Sequence, residues 1–98
     1  MSKSIEEKLL DNGYEDIIIL KNYSYEDALI GVTEDNRAVY DFNKMVEWLM
    51  KIEGCTQMEA IEWIEYNTIR SLPYIGEKSP IIMYPLLDWE ENKNGNNN

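Results

Sequence analysis

The stretch FNKMVEWLMKIEGCTQMEAIEWIEYNTIR, Phe42 to Arg70, decides the fold, because it reads as two amphipathic helices meeting at Gly54, Cys55 and Thr56. Gly54 can take the left-handed conformation that ends a helix, and Thr56 can cap the next one. Glu59 completes a capping box, Thr56-Gln57-Met58-Glu59, in which hydroxyl and carboxylate each satisfy an orphaned backbone N–H. In the first helix, capped by Asp41 or Asn43, the residues Phe42, Met45, Val46, Leu49 and Ile52 recur at the spacing of one buried face. Lys44, Glu47 and Lys51 fall opposite, and Trp48 and Met50 flank the stripe. In the second helix, an advance of about 100° per residue gathers Ala60, Ile61, Trp63, Ile64, Asn67 and Thr68 into one arc. Glu59, Glu62 and Glu65 project on the other side, together with Tyr66 and Ile69. Leu72-Pro73 is expected to end this helix, since proline lacks a donor and restricts the residue before it.

Working outward, Ser4-Ile5-Glu6-Glu7 is a second capping box and Asn12-Gly13 a stop, which predicts a short N-terminal helix. Three consecutive β-branched residues, Ile17 to Ile19, predict a strand over Ile17–Leu20. Lys21 to Asp27 reads as a polar and aromatic connection. Ala28–Thr33 and Ala38–Asp41 are β-prone runs around Glu34-Asp35-Asn36-Arg37, a hairpin in which Gly31 marks either a bulge or a close backbone approach. Tyr74 to Pro80 reads as a loop, and Ile81–Tyr84, with proline at each end, as an edge strand. The sum is an α+β fold: a small three- to four-stranded, mostly antiparallel sheet with a pair of consecutive helices packed on one face. One domain is expected over residues 1–87. From Asp88 the chain is Asn-rich and too poor in apolar groups to offset ordering entropy, so residues 88–98 are expected to form a disordered tail in which only Trp89 could dock.

With 98 residues and 44% hydrophobic content, the chain supports one modest core and leaves no room for a second domain. No apolar run approaches the length of a transmembrane helix and no signal-peptide pattern opens the chain, so a cytoplasmic protein is expected. Nineteen acidic against nine basic residues give a formal charge of −10, which repels nucleic acid and anionic membrane. Such charge serves solubility at the least, and at the most presents an acidic surface to a basic protein partner.

The chain has no histidine, which removes the commonest general base and the commonest zinc ligand, and its single cysteine, Cys55, can build neither an intramolecular disulfide nor a thiolate cage. The acidic pairs Glu26-Asp27 and Glu34-Asp35 lack the alternating ligands of a calcium loop and read as solvated turn charges. Cys55 lies just ahead of a helix start but reads first as a hydrophobic staple on Ala60. No catalytic residue, metal site or cofactor is assigned, and a non-enzymatic protein is expected. Asn67, placed in the apolar arc, should either find a partner in the loop near Tyr74 or on a strand backbone, in which case Asn67→Ala should lower the melting temperature, or help to form a ligand or partner site. Glu59, Glu62, Glu65, Tyr66 and Ile69 read either as a solvated face or as a partner-binding surface in which Tyr66 and Ile69 anchor and the carboxylates meet lysines or arginines.

The segments ALIGVTEDNRAVYDFNKMVEWLM (Ala28 to Met50), EAIEWIEYNTIRSLPY (Glu59 to Tyr74) and PIIMYPL (Pro80 to Leu86), about half of the chain, resemble an uncharacterised family of short acidic proteins from Firmicutes and their phages and prophages. Asn36-Arg37 departs from the Asp-Gly pair expected at the hairpin turn. The resemblance carries over no catalytic residue; it implies a phage or mobile-element setting, in which small acidic proteins are often inhibitors or adaptors. The expectation is therefore a protein-interaction protein, in its sharpest form an anti-defence, anti-CRISPR-like inhibitor that occupies a basic nucleic-acid-binding surface. The alternative is a homodimeric structural or accessory phage protein built on exposed Trp48, Met50 or Trp63.

Overall fold

A strand that passes into a helix without an intervening loop sets the architecture. In the computed structural model, which describes residues 4–86, the regular elements are α1 (Ile5–Asp11), β1 (Leu29–Val32), β2 (Ala38–Asp41), α2 (Phe42–Glu53), α3 (Gln57–Trp63) and β3 (Ile81–Met83). The sheet order is β1-β2-β3; β1 pairs antiparallel with β2, and β3 lies parallel to β2. A parallel neighbour requires a long crossover, and α2 and α3 supply it. With α2 packed on β2 and α3 on α2, the molecule is an α+β fold around a mixed three-stranded sheet.

The local chemistry explains the boundaries. Ser4 accepts from the Glu7 N–H while Glu7 accepts from the Ser4 N–H, closing the box that starts α1. Asp41 ends β2 and caps α2 by accepting from the Lys44 N–H at 3.1 Å. Gly54, at φ 68°, closes α2 in the left-handed region. Thr56 and Glu59 then form the second box. Phe42, Met45, Val46 and Leu49 are buried as the stripe requires, whereas Ile52 is 53% exposed in the last turn, past the reach of the core.

The hairpin register slips between Leu29 and Gly31, which makes Gly31 a bulge residue, and no atom crowds the position of its missing side chain. Asn36, at φ 66°, supplies the left-handed turn residue that an Asp-Gly pair would otherwise provide. The Thr33 hydroxyl donates to the Asp35 carboxylate and so holds that carboxyl below its ordinary pKa.

Two of the expected elements take another form. Ile17–Leu20 forms no strand. The chain enters this segment with Asp16 at φ 63°, Ile18 stays exposed, and the buried Leu20 N–H donates to the Tyr40 hydroxyl at 3.0 Å instead of to a neighbouring strand. The isoleucine run is thus used for docking against the core, through Ile17, rather than for ladder pairing.

The helix after Thr56 also fails to run as one α-helix to Leu72. It is α-helical over Gln57–Trp63, π-helical over Ile64–Thr68 and 3₁₀ over Ile69–Tyr74, with Pro73 inside the last turn. A π turn fits more residues into each revolution, so each advances by less than the α-helical angle. Counted from Ile64, Asn67 therefore stops short of the buried arc, Thr68 stays within it, and Ile69 swings from the outer face toward the core. Asn67 is exposed, Thr68 is buried and Ile69 packs against the core, as this rotation requires. Residues 88–98, with Trp89, lie outside the described residues.

The core joins Leu20, Tyr25, Ala28, Ala38, Tyr40, Phe42, Met45, Val46, Leu49, Ala60 and Ile64. Tyr25 comes from the segment read as a connection; it is almost fully buried at φ 47°, and its hydroxyl bonds to the Thr68 hydroxyl at 3.0 Å. A bulky residue in the left-handed region is strained, and the burial of its ring is what holds it there. Tyr40→Phe should cost about 1–3 kcal/mol, because it strands the buried Leu20 N–H, and the shift of the urea midpoint will measure it.

Burial raises the pKa of Tyr25 and of Tyr40, with the bonds to Thr68 and to the Leu20 N–H opposing it. The folded chain thus holds these protons to higher pH than the unfolded chain. Their stabilisation is complete below the ordinary tyrosine value, about 10, and is lost as pH rises through the folded values. Denaturation midpoints measured at rising pH should fall above about pH 10, and less steeply in Tyr40→Phe.

Candidate acidic and aromatic interface

The connection Lys21 to Asp27 brings two aromatic rings against the helix pair. Tyr23 meets Trp63 edge-to-face at 4.9 Å and 72°, Trp48 at 6.0 Å, and Tyr25 at 6.1 Å. Tyr25 also meets Trp48, at 5.3 Å. Such edge-to-face contacts place the positive ring edge on the negative ring face, so the four rings form one wall. Trp48, Met50 and Trp63 are partly buried and pack against the core, so they are less exposed than the dimer reading expected.

Beside this wall lies a cleft of about 330 Å³ lined by Tyr23, Leu49, Glu53, Cys55, Glu59 and Trp63. Glu53 comes from the last turn of α2 and Glu59 from the first turn of α3, so the sharp turn at Gly54 sets two carboxylates across one opening. The Tyr23 hydroxyl donates to Glu53 Oε2 at 2.5 Å, and Glu59 Oε1 accepts from the Thr56 N–H at 2.9 Å. The bond to Glu53 is the main cause that raises the Tyr23 pKa, followed by burial. Tyr23 accordingly remains a donor at neutral pH. Cys55 is partly buried against the core, with its thiol 4.0 Å from the Leu49 carbonyl.

Of the five residues read as a partner surface, Glu59, Glu62, Glu65 and Tyr66 are exposed, and Ile69 is turned inward by the π turn. Glu59 contributes to both the helix cap and the cleft. Partial burial, followed by the negative charge of Glu65, raises the Tyr84 pKa. Tyr66 is 68% exposed and carries the Arg70 guanidinium over its ring at 5.1 Å, so one face is already occupied by the chain's own cation. Asn67 donates to the Trp63 carbonyl one turn back, at 3.0 Å, and among the described residues it has no bond to the Tyr74 loop or to a strand.

Two other concavities differ in kind. The depression lined by Asp27, Lys44, Glu47, Trp48 and Lys51 contains its own cations. The groove between α1 and β1 is lined by Lys8 and by mainly neutral residues, without converging charge. Among the described residues, no group of three or more histidine, cysteine, aspartate or glutamate side chains is placed to hold a metal ion, and no helix is long and apolar enough to cross a membrane.

Sequence reasoning missed Tyr23 and Glu53. The available signal was the aromatic pair Tyr23 and Tyr25 within an otherwise polar segment, since a ring that costs exposure there must be buried against something. Comparison of the chain with protein-family models, with curated proteins and with solved structures found no match.

The rotation of the second helix removes the stability role expected of Asn67 and gives one to Thr68. Asn67→Ala should change stability by less than about 0.5 kcal/mol, as for an ordinary surface site. Thr68→Val should cost about 1–3 kcal/mol by leaving the buried Tyr25 hydroxyl unpaired, and urea denaturation of the two variants side by side will read the difference.

Proposed function

We propose that this chain is a non-enzymatic interaction protein that binds a basic surface of a protein partner in the cytoplasm. The observation that carries the reading is the run of exposed carboxylates along the second helix, Glu59, Glu62 and Glu65, which adjoins a cleft walled by aromatic rings. The buried side of the same helix anchors it through Ala60, Ile64 and Thr68, so the acidic side is presented on a fixed element. A charge of −10 steers such a chain toward cations and away from nucleic acid.

Its sharpest form follows the resemblance to short acidic phage and prophage proteins: an anti-defence inhibitor whose acidic face takes the place of nucleic acid on a host protein. The geometry compatible with that form is a rigid acidic ridge rather than a pocket for a substrate. The homodimeric accessory role has less support, because Trp48, Met50 and Trp63 are engaged with the core of one chain. Sedimentation equilibrium should therefore return a monomer.

Glu62→Lys combined with Glu65→Lys leaves the capping box intact and reverses the ridge. Immobilised wild-type chain should retain a basic protein from host lysate, with retention falling steeply as salt rises, and the double variant should lose it. Equal retention by both would sink the placement of the interface on this helix.

A further inference from the structure

We propose that the cleft between α2 and α3 receives an arginine side chain of the protein partner, its guanidinium set against the Trp63 and Tyr23 rings and between the Glu53 and Glu59 carboxylates. This deepens the reading of the chain as a binder of basic proteins and rests on it. Three observations combine. First, the lining holds two carboxylates and no lysine or arginine, whereas the nearby depression at Asp27 and Glu47 is lined by Lys44 and Lys51 as well.

Second, each carboxylate engages one oxygen with the fold, and among the described residues the other has no hydrogen-bond partner. Glu53 Oε2 accepts from Tyr23 and Glu59 Oε1 from Thr56, which fixes both groups in place without neutralising them. Third, the aromatic walls stand at 72° to one another beside those charges, and Trp63 and Tyr23 are only partly buried.

A cation gains from ring faces and from carboxylates together. Guanidinium suits this combination better than ammonium: it is planar, weakly hydrated, stacks on rings, and has donors enough to reach two carboxylates at once. The volume of about 330 Å³ admits a side chain but not a folded element, so the cleft takes one residue while the rest of the acidic face meets its surroundings.

The test uses the full chain and follows the assigned indole N–H resonance of Trp63 during titration with three peptides, acetyl-Gly-X-Gly-amide with arginine, lysine or citrulline as X. Arginine should give a saturable shift, lysine a weaker one and citrulline none. Glu53→Gln and Glu59→Gln remove charge while keeping the acceptor for Tyr23 and the helix cap respectively, so the fold is retained. Each should weaken arginine binding at least about fivefold, and Glu62→Gln should not.

Absence of a saturable shift with arginine, or equal response to citrulline, overturns the proposal, and equal binding of lysine overturns the choice of guanidinium. If the peptide fails but lysate capture still depends on Glu62 and Glu65, the cleft is excluded and the acidic ridge survives. If both fail, the wider reading falls with it.

Discussion

The rest of the structure depends on Asp41. As the last residue of β2 it pairs opposite Met83 of β3, and as the cap of α2 it holds the Lys44 N–H. One residue therefore fixes where the sheet ends and where the helix begins, with no loop to absorb error. Phe42, the first residue of α2, is placed by this junction against the Tyr84 ring at 4.8 Å, which ties the strand-to-helix corner to the far end of the crossover. The direction of α2 follows, and with it the position of the turn at Gly54 and of everything α3 presents.

A second set of ties works at the other end of the sheet. Arg37 Nε donates to the Ser79 carbonyl at 2.9 Å, and Lys78 Nζ donates to the Asp35 carbonyl, so the hairpin turn grips the segment that leads into β3. Three short strands contribute little independent stability. Tying the approach to β3 onto the hairpin, and its exit onto Phe42, keeps the parallel pair aligned. The helices, in turn, are held by the aromatic wall, because Tyr23 and Tyr25 reach both α2 and α3 from a segment with only one short 3₁₀ turn of its own.

What could be read from the sequence was local. Capping boxes at Ser4 and Thr56, the left-handed stop at Gly54 and the β2 boundaries depend on residues within a few positions of each other and were legible, and the cap of α2 was narrowed to Asp41 or Asn43. The turn around Asn36 was legible for the same reason, and Gly31 was read as one of two things, of which the structure shows the bulge. What escaped was decided by distant contacts. Ile17 to Ile19 favour extended backbone, but a strand also needs a neighbouring edge, and the Leu20 N–H is taken by the Tyr40 side chain instead.

The outer face of the second helix was half legible. Glu59 and Glu62 face solvent as a 3.6-residue period requires, and Glu65 and Tyr66 remain exposed although that period does not persist past Ile64, whereas Asn67 and Ile69 exchange environments. No residue pattern between Ile64 and Thr68 announces the wider turn. The cleft was the least legible feature, since its members are drawn from three separate segments and only the fold brings Tyr23 and Glu53 to Glu59 and Trp63.

The wide turn at Ile64–Thr68 also bears on how the sequence could have grown. A π turn closes over one residue more than an α turn, so it is the form in which a helix absorbs a single inserted residue without disturbing either flank. A sister sequence shorter by one position here could keep the same cap at Thr56 and the same proline-bearing exit, aligned to this chain with a gap inside an unbroken helix. The length of chain within this turn therefore sets the phase between the acidic face ahead of it and the proline-bearing exit beyond it, so that one residue more or fewer would re-aim what the helix shows to solvent without touching either end.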